Sequence, residues 1–465
     1  MDLLPEEVLL EVLQYLDVRD LLACRRVCKR LGALVLVGRV WRHRELRLGS
    51  PGVPAASPRE RGPLHLLRLA PCLDHLYICA AAGTLRAITT TKCAVASLTL
   101  EDRYLGFNSQ LYVEMVRHQE ALGRLRRVHL DFRSSANSCR VLLDALTTLP
   151  RLESLTRSKN CRDRASNYAS TAPVPHPSVQ SLRKFSWKLT RDTVPFVHAV
   201  LAGHSATLED VELKVGCSGW TSWTDDTVAS LLAALPRLHS LRIDYPNIPG
   251  LPAVAACGAL RKLCVDVGYN STVVELLRRA KQLRDVRLML DWFGLGCEVL
   301  QALASPALER LELRFCTLPC RNDEVRPLLR SMATLPALRH LVLDSSLYTS
   351  LGSLPLDLLQ RINPATAPAL RILELKMGRH PCPHTWVHED AVHPALMANP
   401  SLHIQLEFLG AQECEKSNCV VCAMDCHKDV WKAGVGTNDI LKLSIHLHEL
   451  QIVVSSRVLK SYQYL

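Results

Sequence analysis

Aromatic side chains are scarce in this chain: Phe, Trp and Tyr make up 5% of 465 residues, against 48% hydrophobic residues in all. Its interior must therefore be filled by Leu, Val and Ala rather than by rings. That much apolar surface excludes disorder of the chain as a whole. Long apolar runs are missing too. The longest near the N-terminus covers residues 33–37, far short of the roughly 18–20 residues a membrane span needs. The opening segment from Met1 to Glu7 has neither a basic start nor an apolar stretch, so no secretory leader and no membrane partner are expected. The 18 cysteines are accordingly expected to be reduced thiols in the cytoplasm or nucleus rather than disulfides. The sequon Asn270-Ser271-Thr272 is expected to stay unglycosylated.

Catalytic signatures are also lacking. There is no Gly-rich phosphate loop, nucleophile elbow or dinucleotide fingerprint. His388 and His393 stand five residues apart rather than four, with Pro394 directly after, so on a helix they diverge and do not make a zinc-protease pair. The expectation is a protein that is not an enzyme. The net charge of +11 favours acidic partners. No basic repeat with interleaved aromatics occurs, so no nucleic-acid module is expected.

The first 48 residues carry a dense helical pattern. Pro5 suits the first turn of a helix, and Glu6 and Glu7 suit its positive end. Leu9, Val12, Leu13 and Leu16 recur at helical spacing and make one apolar face. Asp20 is placed to cap a second helix lined by Leu21, Cys24, Cys28 and Leu31. A third segment runs from Leu34 to Trp41. So small a unit buries little surface and is expected to lean on a partner or on the domain that follows. Residues 49–63 are dense in Pro and Gly and read as a linker or extended loop.

From residue 64 onward a short phrase repeats. Leu149-Pro150-Arg151-Leu152-Glu153-Ser154-Leu155 returns as Leu235-Pro236-Arg237-Leu238-His239-Ser240-Leu241 and as Leu335-Pro336-Ala337-Leu338-Arg339-His340-Leu341. The fuller template L-x-x-L-x-L fits, among others, Leu73/Leu76/Ile78, Val95/Leu98/Leu100, Leu125/Val128/Leu130, Leu263/Val265 after Leu260, and Leu370/Leu373/Leu375. Starts lie roughly 22 to 32 residues apart, near the spacing of leucine-rich repeats, which gives about 11 to 14 degenerate repeats. The alternation is strand chemistry, with leucines on one face. Between phrases lie helical stripes such as Val228/Leu231/Leu232/Leu235, Val273/Leu276/Leu277/Ala280 and Val325/Leu328/Leu329/Met332. A wholly helical solenoid is the alternative, and the short strand-like phrases oppose it. Of the Asn or Cys that usually follows the last leucine by three positions, only Cys316 is clear.

Two features could carry further chemistry. Cys414, Cys419, Cys422, Cys426 and His427 fall in a C-x4-C-x2-C-x3-C-H spacing. That set admits a tetrahedral zinc site, an iron–sulfur site whose fourth ligand comes too soon, or simply reduced thiols. No cofactor is otherwise expected. Residues 151–191 hold nine Lys or Arg against two acidic residues. Lys159, Arg162, Arg164, Lys184, Lys188 and Arg191 are candidates to grip an acidic or phosphorylated substrate segment. A solvated insertion with no partner is the other reading.

The N-terminal segment resembles the F-box. The resemblance rests on residues 4–17, on Asp20-Leu21-Leu22, on Val27-Cys28-Lys29-Arg30 and on Trp41, in order and with matching spacing. Leu31 stands where many F-boxes carry Trp. The resemblance implies a small three-helix F-box (1–48), then a linker (49–63), then an α/β leucine-rich-repeat solenoid (64–465), a horseshoe of short parallel strands and outer helices. It also implies a substrate-recognition subunit of a Skp–cullin–F-box ubiquitin ligase. Leu4, Pro5, Leu9, Val12, Leu13, Leu16, Leu21, Leu22, Val27 and Trp41 would meet the Skp-type adaptor. The adaptor would tether the chain to a cullin scaffold, and the repeats would hold an unknown protein substrate. A leucine-rich scaffold without a ubiquitin role is the alternative.

Overall fold

The computed structural model describes residues 4–49, 58–79, 88–102, 109–132, 136–157, 180–190, 193–215, 226–244, 248–267, 271–290, 297–315, 332–344, 359, 362–377, 392–409, 440–445 and 453–457. The chain divides into two units, Met1–Gly216 and Cys217–Leu465.

The first unit opens with four helical segments. Helix α1 (Glu6–Tyr15) follows Pro5 and carries Glu6 and Glu7 in its first turn, the charge its dipole favours. Helix α2 (Val18–Cys24) is capped by Asp17, whose carboxylate accepts the Asp20 N–H at 2.7 Å. The cap is therefore Asp17 and not Asp20. The expected second helix through Leu31 breaks at residues 25–28. Helix α3 (Lys29–Leu34) restarts from Cys28, whose sulfur accepts the Leu31 N–H. A single turn, α4 (Gly38–Trp41), completes the set. Leu9, Leu13, Leu21, Leu31, Leu34, Val35, Val40 and Trp41 are its core. Strand β1 (Glu45–Leu48) comes before the Pro/Gly-rich stretch, and helix α5 (Pro58–Leu69) begins inside it.

Strand–helix coils follow. In the first unit these are β2 (Cys72–Ile78), β3 (Ala94–Asp102), α6 (Ser109–Ala121), β4 (Arg127–Phe132), α7 (Ala136–Thr147), β5 (Ser154–Arg157), β6 (Lys184–Leu189), α8 (Val194–Gly203) and β7 (Asp210–Val215). Strands β1 to β7 pair in chain order, all parallel. Leu76, Leu98, Val128, Leu155, Phe185 and Val211 stand in register, and all are buried. Each such side chain contributes about 1.5–3 kcal/mol by leaving water. Three of the scarce rings gather at one place, with Trp187 stacked near Phe185 at 5.8 Å and tilted against Phe196 at 4.8 Å.

The second unit repeats the scheme with α9 (Thr227–Ala233), β8 (Ser240–Asp244), a 3-10 turn (Leu251–Ala256), β9 (Lys262–Asp266), α10 (Ser271–Arg279), β10 (Asp285–Leu290), α11 (Cys297–Leu303) and β11 (Arg310–Phe315). A second 3-10 turn (Met332–Thr334), β12 (His340–Asp344), β13 (Ile372–Met377), α12 (Val392–Ala398) and β14 (His403–Leu409) follow. Strands β8 to β14 are parallel neighbours in order. Leu241, Leu263, Val286, Leu311, Leu341, Leu373 and Ile404 form one buried ladder. These strands exclude the wholly helical alternative. The stripe residues Val228, Leu232, Leu235, Val273, Leu276, Leu277, Ala280 and Met332 are buried as the periodicity predicts. Val325, Leu328, Leu329 and Cys316 lie outside the described residues.

The parallel pattern does not run to the end. Strand β15 (Ile440–Ile445) pairs antiparallel with β14, and β16 (Val453–Arg457) antiparallel with β15. This antiparallel ribbon covers the edge of β14 that the parallel strands leave open.

Candidate functional site

Two apolar stripes run along α1. The inner one, Leu9 and Leu13, is buried against the other short helices. The outer one is Val8, Val12 and Tyr15, spaced by four and three residues and so stacked on one face. All three are exposed, Tyr15 to 83%. Leu4 just ahead of the helix, Val27 in the turn between α2 and α3, and Leu36 and Val37 before α4 are exposed as well. A small helical unit that has filled its own core and still presents this many large apolar side chains is shaped to be covered.

The framework behind this surface is tied together by side-chain bonds. The Arg30 guanidinium donates to the Leu4 carbonyl at 2.6 Å and ties the N-terminal segment to α3. Glu11 pairs with Arg39 across to α4 at 3.1 Å. Trp41, 1% exposed, donates its indole N–H to the Val35 carbonyl at 2.6 Å. Arg44 donates to the carbonyls of Leu13 (3.1 Å) and Leu16 (2.6 Å) at the end of α1, and to Val40 at 3.0 Å. It thereby satisfies acceptors that a helix C-terminus leaves open. Burial lowers the Arg44 pKa, and Asp17 partly offsets this.

The residues expected to meet an adaptor therefore divide. Leu4, Pro5, Val12 and Val27 are exposed, and Leu16 and Leu22 are half-buried. Leu9, Leu13, Leu21 and Trp41 are interior and shape the surface from behind. Val8, Tyr15, Leu36 and Val37 are exposed apolar residues that the single-stripe reading of α1 passed over. Their signal was present: a ten-residue helix with apolar residues on two faces has more greasy surface than one core can use.

On the repeats, the strand residues that alternate with the buried ladder face away from the helices. In the first unit they mix hydroxyls and imidazoles with charged groups. His75 Nε2 meets the Thr99 hydroxyl at 3.0 Å, and His129 Nδ1 meets that of Thr156 at 2.7 Å. Burial lowers both histidine pKa values, so both rings are neutral near pH 7. In the second unit the same face is charged and internally matched. Arg287, Arg310 and Arg314 converge on Glu312 at 3.3, 3.5 and 3.8 Å. Arg314 also holds Asp344 at 2.8 Å. His340 and Lys376 reach Glu374 at 3.1 and 3.6 Å.

The basic stretch is not shown to come together. Lys184 pairs with Asp210 at 3.2 Å on the neighbouring strand, and Lys188 lies half-buried on β6. Lys159, Arg162, Arg164 and Arg191 lie outside the described residues, as do Cys414, Cys419, Cys422, Cys426 and His427. Among the described residues, Cys24, Cys28, Cys72, Cys79, Cys93, Cys257 and Cys264 form no disulfide. Burial pushes the Cys93 thiol up to about 12 and raises Cys264 as well, which makes both inert packing groups. Among the described residues no His, Cys, Asp or Glu cluster is arranged for a metal, and no helix is long and apolar enough to cross a membrane.

Residues 1–47 match the F-box-like family model. This is the segment that carries the two-stripe helix, and it is an F-box-like domain. No curated protein sequence matches the chain. Among solved structures, a chain in the crystal structure of a TLR13–ssRNA13 complex is similar at 15% identity with a TM-score of 0.31. The likeness covers 80% of this chain, which spans 53% of that one.

Proposed function

We propose that this chain is the substrate-selecting subunit of a Skp–cullin–F-box ubiquitin ligase, with leucine-rich repeats as the part that holds a protein substrate. The observation that carries the reading is the outer stripe of α1, exposed on an F-box-like domain whose inner stripe already fills the core. F-box domains bind Skp-type adaptors, and an apolar helix face of this kind suits that contact. The mechanism is proximity. The adaptor and a cullin fix the F-box end, and the repeats raise the effective concentration of substrate lysines near the charged ubiquitin carrier. No residue of this chain needs to make or break a covalent bond.

The test replaces outer-stripe residues only. Val12→Asp/Tyr15→Asp should abolish co-purification of the Skp-type adaptor, because a buried unpaired carboxylate costs several kcal/mol, while circular dichroism stays unchanged. Leu9→Asp is unsuitable, since Leu9 is interior and its loss would unfold the unit. Full adaptor binding by the folded double variant would overturn the reading. Adaptor recovered without cullin would leave a scaffold with no role in ubiquitin transfer.

A further inference from the structure

Just before each repeat strand, one residue sits at the strand's entry edge and is tied to its equivalent in the next coil. In the second unit the Arg261 N–H donates to the His239 carbonyl, Arg284 to Arg261, and Glu309 to Arg284. Arg339 then donates to Glu309 and Arg371 to Arg339, all between 2.8 and 2.9 Å. Most of these carbonyls also accept the following N–H of the next coil, as Arg261 does from Asp285 at 3.0 Å. The result is a spine with one side chain per coil, at about 4.8 Å per step and roughly 24 Å in length.

The first unit has the same spine with different charges. There Arg126 pairs with Glu153 at 3.6 Å and Arg183 with Glu209 at 3.6 Å. Each basic residue has an acidic neighbour one step on, and the edge neutralises itself. In the second unit the spine holds four arginines, one glutamate and one histidine. Glu309 is engaged by Arg284 at 3.3 Å. Arg339 and Arg371 are successive, exposed, and form no ion pair among the described residues. Like charges on directly adjacent strands oppose each other. The strand face beside them cannot help, because Glu312, Asp344 and Glu374 are taken up by their own cations.

We propose that this entry edge of the second unit is a docking strip for an extended acidic segment of a partner protein. The proposal deepens the reading of the repeats as the substrate-holding part and rests on it. The strip's length matches about seven residues of extended chain. Arginine forks suit carboxylates and phosphates in two-point contacts. A nucleic-acid strand fits less well, because the spine carries no Phe, Tyr or Trp on which bases could stack.

The test uses the full chain and a fluorescent twelve-residue peptide rich in Asp and Glu, with its phosphoserine version as a second arm. Fluorescence anisotropy should show binding of one or both. Arg339→Glu/Arg371→Glu should weaken it at least about tenfold. Arg68→Glu/Arg117→Glu makes the same charge change on exposed helix positions of the first unit and should change binding less than about twofold. Equal losses in the two double variants would mean bulk attraction only and would overturn the strip. So would absence of binding by both peptides, or tight binding of an oligouridylate while the peptides do not bind. Adaptor capture is measured on the same samples. Retained capture with no peptide binding removes the strip and leaves the F-box reading standing.

Discussion

At the residue scale, single polar groups hold the fold together at points the periodicity does not mark. Arg44 is the pin between α1 and α4, and each of its bonds is charge-assisted. Arg44→Ala should cost about 2–3 kcal/mol in chemical denaturation. Arg44→Lys should restore only part, since an ammonium cannot reach the separated carbonyls as a fork does. His204, at the end of α8, is a second case. Its Nδ1 accepts the Ser181 N–H at 3.4 Å, which requires the neutral ring, and burial lowers its pKa from 6.5 to about 4. The unfolded chain then binds the extra proton between those two values. The stability this residue contributes is complete above pH 6.5, is lost as pH falls toward 4, and amounts to about 3 kcal/mol. Denaturation midpoints at pH 5 and pH 7.5 should differ less in His204→Gln than in the wild type. An unchanged difference would mean that other groups set the acid sensitivity.

At the element scale, the coils are stitched by side chains that reach back to the coil before. Gln119 on α6 is fully buried, accepts the Val95 N–H at 3.1 Å and donates to the Cys93 carbonyl at 3.2 Å. Thr91, Ser181, Thr207 and Ser305 donate to the carbonyls of Leu67, Leu152, Leu182 and Lys281 in the same manner, at 2.8–2.9 Å. Gln119→Leu should therefore cost more than a surface change, roughly 1–3 kcal/mol for each of the two stranded backbone groups. Gln119→Glu should cost at least as much, because a carboxylate at this buried site loses its hydration and has no hydrogen to give the Cys93 carbonyl. Denaturant titration of both variants checks the order. The buried ladder was legible in the sequence because Leu76, Leu98 and Val128 repeat a phrase whose alternation is a property of strands. The stitches were not legible, because a Thr or Gln before a strand has no period of its own and matters only when the previous coil's carbonyl arrives. The cap at Asp17 was misplaced for a related reason: Asp17 and Asp20 offer the same carboxylate, and only backbone geometry decides which one accepts. The two roles of α1 were half legible, since Leu9 and Leu13 declare the core while Val8 and Tyr15 lack meaning until that core is seen to be full.

At the scale of the whole molecule, stability is local. Coils contact mainly their neighbours, so a perturbation at one end need not travel to the other. The F-box-like domain is the smallest piece, with a thin core and a large exposed apolar stripe, and such a piece opens more often than stacked coils do. A partner that binds only its folded form stabilises it by mass action, about 2.7 kcal/mol at a hundredfold excess over Kd. Hydrogen exchange on the full chain, with and without a Skp-type adaptor, reads this directly. Amides in residues 6–41 should exchange at least about tenfold more slowly in the complex, because 1.4 kcal/mol is a factor of ten and the gain exceeds that. Amides of β8 to β11 should be unaffected, since they stack on their own neighbours and have no part in the apolar contact. Raising salt from about 0.05 to about 0.3 M should leave the protection of residues 6–41 in place, because an apolar contact is not screened. Protection that spread evenly over the repeats, or that vanished with salt, would mean that the adaptor is held by charge or along the coils and not by the outer stripe of α1.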